Sequence, residues 1–169
     1  LAEKIGISPG KFTVMLMTGS FGTGPLKKIA RMLSFKAQVL VVCANNNKLR
    51  KRLLKLNLPN VKVFGFIDNT EELMAVSDCI VTKAGGSTIA EVINMDLVPI
   101  FISVIPGQES DNVEALNRMG VGFLPKNLTE LKETVLMLKN NSAKLEEMMD
   151  KLEEIKKPLA CQEISGVIR

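Results

Sequence analysis

Two short loops in this sequence combine glycines with hydroxyl side chains, as loops that hold phosphate groups do. Thr18–Gly24 reads TGSFGTG and Lys83–Glu91 reads KAGGSTIAE, and each follows an apolar run. Glycine lets the main chain approach a bound group closely, and the N–H groups at the start of a helix favour an anion. Neither loop is a P-loop, because no G-K-[ST] occurs in it. The candidate ligand-binding residues in these loops are Gly19, Ser20, Gly85, Gly86, Ser87 and Thr88.

A carboxylate and a cluster of polar side chains accompany these loops. Glu91 stands about one helical turn beyond the second glycine pair, where it could accept hydrogen bonds from two neighbouring ribose hydroxyls. A third loop, Val104–Asn112, carries Gln108, Glu109 and Asn112, a density of amide and carboxylate groups that suits a polyhydroxylated ligand. The alternatives are that Glu91 only complements the helix dipole and that Ser110 caps a helix after a solvated loop.

A fourth loop, Gly65–Asp68, places the apolar pair Phe66 and Ile67 after another apolar run. Such a pair could sandwich a flat base while the main chain of the loop reads the base edge. Packing of both side chains in the core is the alternative here, and a tight turn without a ligand is the alternative for Thr18–Gly24. Taken together, the four loops predict a slot for a base, a ribose, a diphosphate and a sugar.

The composition excludes several other chemistries. The 169 residues include no His, so this chain holds neither a Ser-His-Asp nor a Cys-His site. Cys43, Cys79 and Cys161 are widely spaced among apolar neighbours, which indicates reduced, buried thiols rather than a disulfide scaffold or a zinc site. No apolar run is long enough to span a membrane, and the first ten residues, which lack an apolar core segment, lead us to expect no signal peptide.

The charge is distributed unevenly along the chain. The net charge is +4, but residues 1–66 contain twelve Lys and Arg and one acid, whereas residues 67–169 contain ten Lys and Arg and seventeen acids. Most of the cations in the first part fall on two predicted helices. This polarity predicts a basic face, for which an anionic membrane surface is a candidate partner and a solvated face is the alternative.

The elements that must position these loops alternate between strands and helices. The five predicted strands are near-continuously apolar, as in parallel sheets that are covered on both faces: Phe12–Met17, Gln38–Cys43, Val61–Phe64, Cys79–Thr82 and Val98–Ser103. The predicted helices are Pro25–Leu33, Asn46–Leu56, Thr70–Val76, Ser87–Met95, Asp111–Met119, Leu128–Leu138 and Ala143–Ile155. The order predicts a single α/β domain over residues 1–169, a Rossmann-like doubly wound parallel sheet, with ligands at the carboxyl ends of the strands.

The motifs resemble one known family. G-F-I-D, then S-D-x-x-x-T-K-A-G-G-S-T-I-A-E and P-G-Q-E-x-x-N, are similar to the carboxyl-terminal half of GT-B glycosyltransferases of family 28. The resemblance extends from about Ile7 to about Leu138, and P-G-Q-E-x-x-N is its most specific part. It is strongest to processive diacylglycerol glucosyltransferases and monogalactosyldiacylglycerol synthases, and weaker to the GlcNAc transferase that makes lipid II.

The resemblance implies a domain that binds a UDP-sugar, in an enzyme that transfers a hexose to a lipid acceptor. By position, the main chain at Phe66 and Ile67 would hold uracil, Glu91 the ribose, and Ser20 with Gly85–Thr88 the diphosphate. Gln108, Glu109 and Asn112 would contact the sugar or support its loop. The first loop reads T-G-S-F-G rather than the G-G-S-x-G of the lipid II enzyme, so Ser20 matches the family motif less closely than the other residues do.

The resemblance also implies a second domain. An amino-terminal domain would carry the acceptor site and the catalytic base, so no catalytic residue, metal or cofactor is expected in this chain, which begins with Leu and by itself should not turn the donor over. The intact enzyme would be cytoplasmic and peripheral to the inner face of the membrane, with no nucleic acid partner. The alternatives are the donor domain of a GlcNAc transferase, fused or a separate subunit, and a non-catalytic nucleotide-sugar-binding module.

Overall fold

A computed structural model describes residues 1–19, 22, 24–102 and 109–157. Five strands form one sheet in which every neighbouring pair is parallel. The strands are β1 (Thr13–Met17), β2 (Gln38–Val42), β3 (Val61–Phe64), β4 (Cys79–Thr82) and β5 (Val98–Phe101). Their order is β3-β2-β1-β4-β5, so the chain reverses its direction of travel across the sheet between β3 and β4. The predicted α/β doubly wound fold is confirmed.

The apolar runs form strands because both of their faces are covered. Along β1, Val14 and Leu16 belong to one core, whereas Met15 and Met17 belong to a second core on the opposite face. A run without polar interruption satisfies both cores, which is why these strands do not alternate. The described strands start or end within about one residue of the predicted bounds, apart from the end of β5, where Ser103 lies outside the described residues.

Eight helices cover the sheet in the part of the chain that the structure describes. They are α1 (Ala2–Ile5), α2 (Leu26–Leu33), α3 (Asn47–Leu54), α4 (Thr70–Met74), α5 (Gly86–Asn94), α6 (Ser110–Arg118), α7 (Leu128–Asn140) and α8 (Ser142–Ile155). The first core receives buried side chains from α2, α3, α6, α7 and α8, and the second from α4 and α5. The two helices after β1 and β2 therefore lie on the same side of the sheet.

Several details of the helices differ from the predictions. The sequence predicted no helix over α1, a four-residue element that ends at Gly6 with a φ of 77°. The α3 helix ends at Leu54 and α4 ends at Met74, each two residues before the predicted bound, whereas α7 extends to Asn140, two residues beyond the predicted Leu138. The expectation that Ser110 could cap a helix is wrong, because Ser110 is the first helical residue of α6 and Glu109 holds the N-cap position.

Two of the three cysteines lie in the first core. Cys43 and Cys79 are free and fully buried, and Cys161 lies outside the described residues. Burial raises the pKa of the Cys43 thiol to about 11 and also raises the pKa of Cys79. Both thiols are therefore protonated at neutral pH and are not reactive nucleophiles. Among the described helices, none is both long and apolar enough to cross a bilayer.

Candidate functional site

The parallel sheet brings the predicted loops together at one edge. Gly19 lies just after β1, Phe66 follows β3 and Gly85 follows β4, and all of these strands end at the same side of the sheet. The β5–α6 connection, which leads to Glu109, starts from the same edge. Two predicted site residues, Ser20 and Gln108, lie outside the described residues. The others belong to a common edge, as the topology predicted.

The first glycine loop is fixed against the end of β2. A Cβ atom added to Gly22 would lie 2.5 Å from the carbonyl oxygen of Cys43, and Gly22 has a φ of 50°, so no larger residue fits there without a shift. The Asn46 side chain donates a hydrogen bond to the Gly22 carbonyl at 3.1 Å and accepts one from the N–H of Leu49 at 2.9 Å. Asn46 thus caps α3 and holds the glycine loop with one side chain.

The second glycine loop leaves open space where a ligand could approach. Gly85 has a φ of −70° and Gly86 is helical, so neither backbone requires glycine. A Cβ atom added to either residue would have no neighbouring atom within 4 Å among the described residues. Neither the backbone conformation nor the packing of the described residues requires this glycine pair, although Ala would form a better helix at Gly86. Glycine at both positions leaves room for an external group to approach the main chain.

The start of α5 has N–H groups available for such a group. Gly85 is the N-cap residue and has no side chain to accept from them, and the first hydrogen bond of the helix runs from the N–H of Ile89 to the carbonyl of Gly85. The N–H groups of Gly86, Ser87 and Thr88 have no acceptor within the helix. Together with the positive end of the helix dipole, they form a site suited to an anion.

The same loop is supported from the far side by α6. The side-chain amide of Asn112 donates a hydrogen bond to the carbonyl of Ala84 at 2.9 Å. Ala84 is fully buried and directly precedes the glycine pair, so this bond fixes the loop from behind. Glu109 is also buried, at 8% exposure. Of the two predicted roles for Asn112, contacting a sugar or supporting a loop, the observed bond corresponds to loop support.

The loop after β3 presents an aromatic ring to solvent. Phe66 is 64% exposed, so core packing does not account for it. Ile67 is half-buried and packs against the second core, which anchors the loop. The side chain of Arg50, from α3, lies beside Gly65: its Cδ atom is 3.4 Å from the position that a Cβ of Gly65 would take. An exposed ring, an anchored neighbour and a nearby guanidinium therefore surround this strand end.

Glu91 lies on the side of α5 that faces α4. It is exposed, and the described residues provide its carboxylate with no hydrogen bond or ion pair. With Thr70 and Met74 it borders a hollow of about 250 Å³ between the two helices. Glu91 is the sixth residue of α5, beyond the first turn, where an interaction with the helix dipole is weak. The dipole alternative therefore explains little, and the carboxylate is available to a ligand.

Sequence reasoning missed three residues at this edge. Asn46 and Arg50 each contact a loop that is distant in the sequence. The only signals for them in the sequence are the run of three Asn after β2, for Asn46, and Gly65 before Phe66, for Arg50. The third is Thr82, at the end of β4, which is 1% exposed and whose hydroxyl has no hydrogen-bond partner among the described residues. The described residues contain no cluster of three His, Cys, Asp or Glu that could hold a metal ion.

A doubly wound parallel sheet, with glycine loops at the carboxyl ends of its strands and a carboxylate that has no partner among the described residues, is an arrangement typical of nucleotide-binding α/β domains. Comparison with known proteins narrows this class. Residues 13–164 match the glycosyltransferase family 28 C-terminal domain, and the chain belongs to this family. The predicted resemblance to GT-B glycosyltransferases of family 28 is thereby confirmed.

Individual relatives agree with this assignment. The chain is 32% identical to a processive diacylglycerol beta-glucosyltransferase of Bacillus cytotoxicus, over 98% of the chain and 44% of the relative. It is 37% identical to the chloroplastic monogalactosyldiacylglycerol synthase 1 of Arabidopsis thaliana, over 80% of the chain and 27% of the relative. The structure of Acinetobacter baumannii MurG matches 98% of the chain with a TM-score of 0.80 at 18% identity, and the match covers 51% of that structure. The chain thus spans less than half the length of these two curated relatives.

Proposed function

We propose that this chain is the donor-binding half of a glycosyltransferase that transfers a hexose from a UDP-sugar to a lipid acceptor such as diacylglycerol. The observation that carries the proposal is the pair Gly85 and Gly86, which leaves space at a helix N-terminus that none of the described residues fills. The names of the relatives support the lipid acceptor, since those proteins are named for diacylglycerol glucosylation and monogalactosyldiacylglycerol synthesis.

The proposed donor lies across the carboxyl edge of the sheet. The uracil ring stacks near Phe66 and is read by the main chain at Phe66 and Ile67. The two ribose hydroxyls donate to the carboxylate of Glu91, which has no partner of its own among the described residues. Gly19, Ser20 and the α5 start from Gly85 to Thr88 hold the diphosphate, and Gln108, Glu109 and Asn112 form or support the sugar pocket.

In this proposal the α5 N-terminus assists the reaction. When the bond between the sugar and the diphosphate breaks, negative charge builds up on the leaving UDP. The N–H groups of Gly86, Ser87 and Thr88 and the helix dipole stabilise that charge where it forms, which is the role that a metal ion has in other transferases. The proposal therefore requires no metal and no cofactor. The catalytic base and the acceptor cleft belong to an amino-terminal domain, and the intact enzyme works at the cytoplasmic face of a membrane.

Titration of nucleotides against the purified chain tests this proposal. UDP should bind, and ADP should bind far more weakly, because a purine does not match the main-chain groups that read uracil. Equal affinity for UDP and ADP in calorimetry would contradict the uridine slot. UDP-glucose, UDP-galactose and UDP-GlcNAc, titrated in the same way, decide between a hexose donor and the alternative of a GlcNAc transferase.

A turnover assay tests the division of labour between the two halves. The chain alone should bind a UDP-sugar without transferring its hexose to diacylglycerol, because both the acceptor cleft and the base are proposed to lie elsewhere. Glucolipid formation by the purified chain would contradict this. A non-catalytic binding module, the other alternative, predicts that no transfer occurs even when the chain is joined to the acceptor domain.

A further inference from the structure

The α2–α3 face, defined as the solvent side of α2 and α3 with the turns that follow them, is basic throughout. Between residues 24 and 60 the sequence contains nine Lys and Arg and no acid. None of these side chains forms an ion pair with any described residue; the salt bridges of the described chain lie on other elements. The cations are Lys27, Lys28, Arg31, Lys36, Lys48, Arg50, Lys51, Arg52 and Lys55.

The fold collects these charges on one surface. The apolar sides of both helices face the same core, with Leu26 and Ile29 from α2 and Leu53 from α3. Their outer sides therefore share one surface, on which Lys28, Arg31, Lys48, Lys51, Arg52 and Lys55 are all exposed. On the opposite side of the sheet, the first turn of α4 contains Glu71 and Glu72 and its last turn contains no basic residue.

Two exposed apolar side chains accompany the cations. Phe35 is 77% exposed, the highest value for a large apolar residue in the described chain, and Leu54 is 52% exposed. The Asn60 side chain donates a hydrogen bond to the carbonyl of Ser34 at 3.0 Å and so ties the turn after α3 to the turn that carries Phe35. Phe35 and Leu54 therefore add exposed apolar surface at the ends of α2 and α3, next to the cations.

We propose that the α2–α3 face binds an anionic lipid surface. Cations that lack acidic partners attract the head groups of anionic lipids, and an exposed Phe and Leu can enter the boundary between head groups and acyl chains. Duplex nucleic acid would also attract the cations, but it offers Phe35 and Leu54 no apolar layer to enter. The choice of a membrane also rests on the lipid acceptor of the proposed function, because such an acceptor stays in the bilayer.

Sedimentation of the chain with vesicles tests this inference. Vesicles of equal parts phosphatidylcholine and phosphatidylglycerol should bind the chain at low salt, and phosphatidylcholine vesicles should not. A cation near an anionic surface changes the partition coefficient by about fivefold. The triple variant Lys51→Glu, Arg52→Glu, Lys55→Glu should therefore bind the anionic vesicles on the order of 100-fold or more weakly. Added salt should weaken the binding of the wild-type chain to these vesicles, because it screens the charges.

A matched control separates the face from the net charge. The triple variant Lys126→Glu, Lys132→Glu, Lys157→Glu changes the net charge equally but lies outside α2, α3 and their turns, so it should bind nearly as the wild type does. The double variant Phe35→Ser, Leu54→Ser keeps every cation and should lose the part of the binding that persists at high salt. Circular dichroism and thermal unfolding confirm that each variant is folded.

Three outcomes would overturn the inference. The first is no binding of the wild-type chain to the anionic vesicles at low salt. The second is an equal loss in both triple variants, which would show an effect of net charge alone. The third is tighter binding to duplex DNA than to the vesicles. UDP affinity, measured on the same samples, should not differ between the wild type and the α2–α3 triple variant, so failure of the donor site and failure of the lipid surface are distinguishable.

Discussion

The two edges of the sheet both carry polar side chains, but they use them differently. At the amino edge, Gln38 accepts a hydrogen bond from the N–H of Ser8 and donates to the Ser8 carbonyl, the Lys11 carbonyl and the Thr13 hydroxyl. At the carboxyl edge, Asn46 and Asn112 support the loops, while the carboxylate of Glu91 has no partner among the described residues. Gln38 at the amino edge is fully used by the fold, whereas at the carboxyl edge the carboxylate of Glu91 keeps bonding capacity that no described residue uses.

This difference matters because the larger hollow lies at the wrong edge for the proposed reaction. A hollow of about 810 Å³ opens at the amino edge, beside Phe12, Gln38 and Asp78. The hollow beside Glu91 is about 250 Å³. Size alone would favour the amino edge, whereas unpaired groups and unexplained glycines favour the carboxyl edge. The proposed function therefore rests on available bonding capacity rather than on the volume of a hollow.

A substitution at Gly22 tests whether the first glycine loop is held against the end of β2. The change Gly22→Ala places a Cβ atom 2.5 Å from the Cys43 carbonyl oxygen at a φ of 50°. We expect a loss of about 2–4 kcal/mol in the free energy of unfolding, from steric overlap and backbone strain together. Urea unfolding measures it. The matched control is Gly86→Ala, which meets open space and should keep or raise stability while it weakens UDP binding.

A wild-type stability for Gly22→Ala would show that the first glycine loop is not held against β2. A Gly86→Ala variant that binds UDP as tightly as the wild type would remove the close approach on which the donor site is built.

The amino edge should behave in the opposite way. Gln38 is 6% exposed, and Gln38→Leu would leave the polar groups around Ser8, Lys11 and Thr13 without their partner. We expect a loss of about 2–3 kcal/mol in the free energy of unfolding, in the range for unsatisfied buried groups, with unchanged UDP affinity. Urea unfolding and calorimetry on the same sample check both. A large loss of UDP affinity in a stable variant would contradict the division between the edges.

The smallest expected effect is a dependence of stability on pH, which comes from Asp78 at the amino edge. Asp78 accepts a hydrogen bond from the N–H of Thr13 at 2.6 Å, but burial raises the pKa of its carboxyl above 3.8. The folded chain therefore holds this proton more tightly than the unfolded chain does. This makes the contribution of Asp78 to stability fall as the pH rises from about its ordinary pKa through the raised one.

The change Asp78→Asn removes that titration. The stability of the variant relative to the wild type should increase as the pH rises above 3.8 and then stay constant above the raised pKa of Asp78. Unfolding curves at a series of pH values measure the difference. A difference that shrinks with rising pH would contradict the role assigned to burial.

The sequence predicted the sheet well because burial on two faces leaves a continuous apolar run in each strand. It did not predict α1, since four residues that end at Gly6 give too little periodicity to detect. It placed the predicted site loops at one edge because parallel strands require it. The bonds from Asn46 to Gly22 and from Asn112 to Ala84 join residues 24 and 28 positions apart, so only the packed fold reveals that these side chains support loops.

The central claim is that the carboxyl edge binds a uridine nucleotide through Glu91, and calorimetry with two ligands tests it most directly. UDP and its 2′-deoxy analogue are titrated against the wild-type chain and against Glu91→Ala. The account predicts that Glu91→Ala loses on the order of 1.5–3 kcal/mol of UDP binding free energy, the range for hydrogen bonds to a charged group. The deoxy analogue should bind the wild type weakly, and it should bind Glu91→Ala with about the same affinity. UDP affinity in Glu91→Ala equal to that of the wild type would contradict the claim.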